Sequence, residues 1–251
     1  MGNMQEDHES RFELAYRIML SELVPLFLHE LNNPLTALAT LPEMLRGTDW
    51  RNQIDQPFKF DAIRTLKHTN ELVSSLSDSL NKITRAGLKE SYAHILPYLH
   101  AFSQLLSPRF RKNKMKYHIE PTQAADSVVL PPRKLSLLVY AVMDAAELYV
   151  RKAAFAAEDT ITFRVAESRA GQTELQVDYP PSAREALVHY LNSSADSIVQ
   201  TIYSTLLRSE LKDLQRIIAE AAEDIVKANH IAVRWYFPDE GGVRLAIEFS
   251  M

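Results

Sequence analysis

The chain has 251 residues, of which 46% are hydrophobic and 24% charged, as is ordinary for a globular protein with a sizeable core. Its formal net charge of −4 argues against general nucleic-acid binding, which requires a basic surface. None of its six glycines stands in a GxG or GxxG spacing, and cysteine is absent, which excludes the familiar glycine-rich phosphate loops, disulfides and thiolate chemistry.

The first part of the chain predicts two long amphipathic helices. The first spans about residues 11–45, and its apolar positions recur at steps of three and four residues: Leu20, Leu23, Phe27, Leu31, Leu38, Leu41 and Leu45. Gly47 ends it, and the polar residues 48–53 form a loop. The second helix spans about residues 60–85, with near-heptad apolar positions at Leu66, Val73, Leu76, Leu80 and Ile83.

These two helices form an antiparallel hairpin with an apolar stripe on each helix. One hairpin cannot cover both stripes alone, so we expect a homodimer in which two hairpins form a four-helix bundle. The alternative is a hairpin that packs on the second domain of its own chain.

The pattern changes near residue 89 and predicts an α/β domain of two layers, which divides the chain into residues 1–88 and 89–251. Strands are expected at 117–119, 128–130, 160–165 and 173–177, and helices at 92–106, 133–154 and within 182–227. A C-terminal hairpin turns at residues 239–242, with the inward positions Ile231, Val233, Trp235, Phe237, Val243, Leu245, Ile247 and Phe249. The fold class is therefore α+β.

His29 lies on the polar side of the first helix. On a wheel of about 100° per residue it is opposite the apolar stripe, whereas Glu22, Asn33 and Thr36 are within about 40° of it. A lone histidine is more often structural, but a core position would require the other side of this helix. An exposed imidazole on a rigid helix is an accessible nucleophile near neutral pH.

The residues around it form the segment His29-Glu30-Leu31-Asn32-Asn33-Pro34-Leu35. The segment lacks the second histidine of a zinc-protease HExxH motif, because Asn33 stands at that position. It resembles the H-box of bacterial two-component sensor histidine kinases, whose pattern is His-Glu-x-x-Asn/Thr-Pro-Leu. The resemblance implies that His29 accepts a phosphoryl group and that Glu30 is the acid/base neighbour that assists transfer. It also implies that Asn33 orients a water when the aspartyl-phosphate of a partner is hydrolysed.

The resemblance extends more faintly over the rest of the chain. Those kinases carry an ATP-binding α/β sandwich with an N-box helix of the pattern Leu-Leu-x-Asn-x-x-x-Asn-Ala. At the corresponding residues 137–145, Tyr140 replaces the first asparagine and Asp144 the second. The next box, Asp-x-Gly-x-Gly, falls on residues 178–182 without either glycine. The resemblance thus implies an ATPase-like domain that has lost its nucleotide site and binds no cofactor or metal; whether Asp144 is a relic or a stabilising contact stays open.

An H-box helix beside such a domain resembles the dimeric histidine phosphotransferases of bacterial phosphorelays. These proteins pass a phosphoryl group between response-regulator aspartates, and the regulator supplies the Mg²⁺. The expected partners are therefore response-regulator receiver domains and a second copy of the chain. Two alternatives remain, namely a pseudokinase scaffold or phosphatase that binds a regulator, and an unorthodox ATP-dependent histidine kinase.

Two further features bear on partners. The basic residues 109–116 favour a solvated turn before the strand at 117–119 over contact with nucleic acid. No apolar run is long enough to cross a bilayer, and the polar first ten residues are unlike a secretory signal. We therefore expect a cytoplasmic protein without a membrane partner.

Overall fold

A computed structural model describes residues 2–46, 56–84, 91–122, 126–153, 159–168, 170–191, 201–237 and 241–249. Two N-terminal helices adjoin a C-terminal part, residues 91–249, that contains a mixed sheet and several helices. The expected α+β class is confirmed. No helix among the described residues is long and apolar enough to cross a membrane.

The two predicted N-terminal helices are confirmed as α1 (Gly2–Arg46) and α2 (Gln56–Thr84), which pack against each other. The Tyr16 hydroxyl of α1 donates to the Ile83 carbonyl of α2. Leu76 and Ile83 are buried, as the stripe on α2 predicts, whereas Leu66 of the same stripe is 48% exposed in the single chain. The predicted stop at Gly47 and the loop at 48–53 lie outside the described residues.

The C-terminal part is built from short elements. Its helices are α3 (Ile95–Leu105), α4 (Ser107–Lys112), α5 (Pro132–Ala153), α6 (Arg184–Leu191), α7 (Thr205–Ser209) and α8 (Asp213–Ala228). Its strands are β1 (Ala93–His94), β2 (Lys116–Ile119), β3 (Ser127–Val128), β4 (Thr160–Glu167), β5 (Thr173–Tyr179), β6 (Ala232–Tyr236) and β7 (Val243–Glu248).

The predicted elements of this part are found with three corrections. The helix expected at 92–106 begins only at Ile95 and ends at Leu105. A separate helix, α4, follows with Pro108 in its first turn. The two helices are not continuous because Pro108 has no backbone N–H to donate to the preceding turn. The strand expected at 128–130 covers only Ser127–Val128. The helical region 182–227 is divided into α6, α7 and α8, and its residues 192–200 lie outside the described part of the chain.

Within the described residues, five strands form one sheet in the order β2-β4-β5-β7-β6, with β2 parallel to β4 and the other pairs antiparallel. Gly171, between β4 and β5, has a φ of 75°, which glycine adopts without strain. The C-terminal hairpin is confirmed. Residues 238–240, which include part of its predicted turn, lie outside the described residues. Its predicted inward side chains are buried except Phe237, which is partly buried, and they share the core with Tyr149 of α5, whose ring contacts Tyr179 and Trp235. Ala246 of β7 is buried as well, so the alternation is clear only in β6.

The first half of α1 packs on the C-terminal part of its own chain. Its buried side chains belong to the same core cluster as the sheet and are Phe12, Ala15, Tyr16, Ile18, Met19 and Leu23. Ion pairs join this half to α8 and α5, from Arg11 to Asp224 at 2.9 Å and from Glu13 to Arg133 at 2.7 Å. The alternative of a hairpin packed on its own second domain is therefore realised for this half of α1.

Candidate functional site

His29 lies in the second half of α1 and is exposed, as the helical wheel predicts. Asn33, one turn further along, is exposed too. Both side chains therefore stand on a solvent-facing part of a continuous helix, where the imidazole is accessible to a macromolecular partner. Among the described residues, no group of three or more His, Asp or Glu side chains is arranged to hold a metal ion.

Glu30 has a different environment from His29, although the two residues are adjacent. Its side chain is only 11% exposed and is turned toward α4. Arg111 donates from Nη2 to Glu30 Oε1 at 2.5 Å, and the Ser107 hydroxyl donates to Glu30 Oε2 at 3.4 Å. Arg111 also donates to Ser107 Oγ at 3.0 Å, so the three side chains form a closed polar group. The structure thus brings His29 and Asn33 to one exposed surface and ties Glu30 to the C-terminal part.

A second polar cluster lies two turns before His29 along α1. The guanidinium of Arg109 in α4 pairs with Asp144 and Glu147 of α5, and it donates to the Tyr140 hydroxyl at 3.3 Å. The Tyr140 hydroxyl in turn donates to Glu22 of α1. We call Arg109, Tyr140, Asp144, Glu147 and Glu22 the Arg109 cluster. It joins three helices through side chains that are buried or nearly buried.

This cluster corrects two sequence expectations. Residues 107–112 form a helix rather than a turn, and Arg109 is largely withdrawn from solvent by its carboxylate partners. Arg111 pairs with Glu30 but remains 62% exposed, and Lys112, Lys114 and Lys116 keep the expected solvated character. Glu22 is half-buried at its contact with Tyr140 and does not share the exposed surface of His29. The helical wheel grouped the two residues because it gives only their angles around the helix and not which parts of the helix other elements cover. Asp144 is a stabilising polar contact.

The electrostatics of the cluster follow from its burial. Burial alone would lower the pKa of Arg109, but Asp144, Tyr140 and Glu147 outweigh it, and the pKa is raised. The pKa of Tyr140 is raised well above its usual value by burial and by the Asp144 carboxylate. Burial raises the pKa of Glu147 even though Arg109 opposes the shift. Arg109 therefore stays charged and compensates two acidic groups that are removed from water.

The segment after residue 200 covers α5 beside the same cluster. The Tyr203 hydroxyl donates to the Ala141 carbonyl at 2.9 Å and to Asp144 at 3.2 Å. The Tyr149 hydroxyl accepts from the Ser204 backbone N–H at 3.0 Å, and burial raises the pKa of Tyr149 to about 12. The sequence contained no signal for these contacts, since they join residues about sixty positions apart. The hydroxyls of Tyr203 and Tyr149 and the Asp144 carboxylate are thus engaged by contacts within the chain.

The Asp-x-Gly-x-Gly position of the resemblance is also occupied by internal contacts. Asp178, on β5, accepts from Arg244 Nε at 2.5 Å and pairs with Arg164 at 3.2 Å. The following Pro180 and Pro181 carry no backbone N–H that could approach a phosphate. Asp178 is therefore compensated by two arginines on neighbouring strands.

Comparisons with known proteins find similarity only among solved structures, since no family model and no curated protein matches the chain. The histidine kinase AdeS of Acinetobacter baumannii is 14% identical over 89% of this chain and 98% of that chain, with a TM-score of 0.41. A bacterial phosphotransferase is 12% identical over 91% and 95%, with a TM-score of 0.41. The cytoplasmic segment of histidine kinase QseC is 13% identical over 72% and 93%, with a TM-score of 0.40. These identities and TM-scores are too low to assign a function to this chain.

Proposed function

We propose that this chain is a histidine phosphotransferase of a two-component phosphorelay. His29 takes a phosphoryl group from the aspartate of one response-regulator receiver domain and passes it to another, without ATP. The observation that carries the proposal is the exposure of His29 and Asn33 within an H-box segment on a helix that the C-terminal part covers from other sides. The resemblance adds Glu30 as the acid/base neighbour and Asn33 as the residue that orients water.

The chemistry requires only an accessible imidazole. A nitrogen of His29 attacks the phosphorus of the aspartyl-phosphate, the P–N bond forms, and the P–O bond to the aspartate breaks so that the receiver regains its carboxylate. The receiver's Mg²⁺ neutralises charge on the phosphoryl oxygens during this exchange. The reverse sequence loads the second receiver, which is why no nucleotide is needed.

Internal contacts support the proposal that the chain does not use ATP. The kinase N-box has asparagines where this chain has Tyr140 and Asp144, and both side chains are held by the Arg109 cluster. Nucleotide phosphates at this position would have to displace a buried ion pair, and two proline residues replace donors at 180–181. Both features argue against a phosphate site on the kinase plan.

Exposed apolar side chains support the proposed homodimer. Val24, Leu28 and Leu35 lie within about 40° of one another on α1, and each is more than two-fifths exposed. Leu66 of α2 is exposed as well. A second copy of the hairpin would cover these side chains in the four-helix bundle that we propose.

The test uses receiver domains encoded in the same genome, each phosphorylated with radiolabelled acetyl phosphate. We expect label to move from at least one receiver to the wild-type chain and not to His29→Ala. The matched control is His68→Ala, since His68 is an exposed histidine on α2 and should remain dispensable. Incubation with radiolabelled Mg-ATP should leave the chain unlabelled.

Other results would select the alternatives. Label that enters His29 from ATP would establish a kinase. Faster receiver dephosphorylation without label on the chain would establish the phosphatase or scaffold, for which the exposure of Asn33 is the specific observation. In that case Asn33→Ala should slow receiver dephosphorylation by roughly 10²-fold, because orientation of the attacking water is lost.

A further inference from the structure

The acid/base carboxylate and the nucleophile of the proposed site are held apart. Both oxygens of Glu30 are engaged by α4, one by Arg111 and the other by Ser107. His29 is the preceding residue and faces solvent. Residues adjacent in a helix point about 100° apart, so the Glu30 carboxylate can approach the imidazole only after it leaves Arg111.

A carboxylate close to a phosphohistidine can promote its hydrolysis, and a phosphotransferase would then lose the phosphoryl group before transfer. Phosphohistidine is a reactive intermediate, and its value to a relay depends on surviving until the next receiver docks. A carboxylate beside it can act as a general base toward water. The Arg109 side chain is 19% exposed, whereas the Arg111 side chain is 62% exposed and can leave its pair with the buried Glu30 for solvent.

We propose that Arg111 is a positioning residue that keeps Glu30 from catalysing hydrolysis of phosphorylated His29. This inference rests on the proposed function and deepens it, because it assigns to the C-terminal part control over the lifetime of the phosphoryl group. Ser107 completes the arrangement by occupying the second carboxylate oxygen.

The reaction that the Arg111–Glu30 pair suppresses is hydrolysis of the P–N bond of phosphorylated His29. The oxygen of a water forms a bond to phosphorus while the P–N bond to His29 breaks. Glu30, if released, takes one proton from that water and returns a proton to the imidazole nitrogen. The products are inorganic phosphate and unmodified His29, and the carboxylate is regenerated.

The experiment measures the half-life of phosphohistidine on the full chain. The protein is phosphorylated with phosphoramidate, which needs no cognate receiver, the reagent is removed, and loss of phosphate is followed by intact mass. His29→Ala supplies the background from other histidines. Arg111→Ala should shorten the half-life by about tenfold or more, because a positioned general base contributes at least that much. Arg111→Lys keeps a cation at this position and should restore most of the lifetime.

The decisive comparison is between two variants that break the same ion pair. Arg111→Ala leaves the Glu30 carboxylate free to act as a base, whereas Glu30→Gln removes the carboxylate. In the double variant Arg111→Ala/Glu30→Gln, the half-life of phosphohistidine should therefore be at least as long as in the wild-type protein. If loss of the ion pair only loosened α4 and admitted water to His29, the half-life of phosphohistidine would be equally short in all three variants. That outcome would overturn the inference, as would an Arg111→Ala half-life equal to that of the wild-type protein.

Failure of the inference can be told from failure of the proposed function. If receivers label His29 while Arg111→Ala has no effect on the half-life, only the inference is wrong. If phosphoramidate labels His29 but no receiver does, the phosphotransferase proposal is wrong, and the inference about Arg111, which rests on it, is rejected as well. Thermal unfolding of each variant establishes that the chain remains folded during the measurement.

Discussion

The two halves of α1 have the same amphipathic pattern but different surroundings. Residues 8–23 are buried on one side against α5 and α8, and Leu23 is fully buried. Residues 24–36 include the exposed Leu28 and the exposed His29. The difference shows that an apolar stripe predicts that a helix side will be covered, but not by which partner. The half that carries the proposed phosphoryl acceptor, His29, is the one in which exposed side chains face solvent.

Carboxylates in the two halves are bound in different ways as well. Glu22 meets a buried hydroxyl of the Arg109 cluster, whereas Glu30 meets an arginine that is largely in solvent. The first contact fixes α1 on the C-terminal part, whereas the second depends on an arginine that can move into solvent. Three predictions test this division, in order of decreasing expected effect.

The largest effect is expected from Arg109→Ala. The change leaves Asp144 and Glu147 buried without a counter-charge, which costs about 3–5 kcal/mol of the free energy of unfolding. Urea denaturation followed by circular dichroism measures this loss. The matched control is Arg111→Ala in the same helix, which should cost less, about 1–3 kcal/mol, because only one buried carboxylate, Glu30, loses its cation and Ser107 still donates to it. Equal losses would contradict the distinction between the two contacts.

Next comes a pair of identical substitutions in the two halves of α1. Leu23→Ala opens a cavity in the core and should lower the free energy of unfolding by about 2–5 kcal/mol at every protein concentration. Leu28→Ala removes an exposed side chain, 48% accessible in the single chain, and should cost about 0.5 kcal/mol or less in dilute protein. Its cost should grow as concentration rises if a second copy covers it. Chemical denaturation at several concentrations separates the two cases.

The smallest effect concerns association alone. Leu28→Asp places a charge on the exposed apolar side chains of the second half and should weaken dimerisation by about 100-fold, or about 2.8 kcal/mol. Sedimentation equilibrium measures the dissociation constant, and Thr36→Asp, on an exposed polar position of the same helix, serves as the control. A wild-type chain that stays monomeric at high micromolar concentration would reject the proposed four-helix bundle.

Much of the fold was accessible from the sequence because periodic patterns report local geometry. The helical period predicted α1 and α2, and alternation predicted the C-terminal hairpin from Ile231 to Phe249. The wheel also predicted that His29 faces away from the core. The ends predicted at Leu106 and Leu130 lie within two residues of the observed ends of α3 and β3, but the separate helix α4 was missed because its charged residues suggested a turn.

Contacts between distant residues were beyond the reach of the sequence. The sequence predicted that Arg109 and Arg111 belong to a solvated basic turn, since a run of charged residues does not show which carboxylates approach it. Only the tertiary structure brings Arg109 to Asp144 and Glu147, and Arg111 to Glu30 across 81 positions of the chain. The sequence by itself therefore determined the helix, the exposed imidazole and the missing glycines, because these depend on residue type and local spacing. The tertiary structure decided which side chains compensate the buried charges and which arginine pairs with Glu30, because those contacts depend on how separate helices pack.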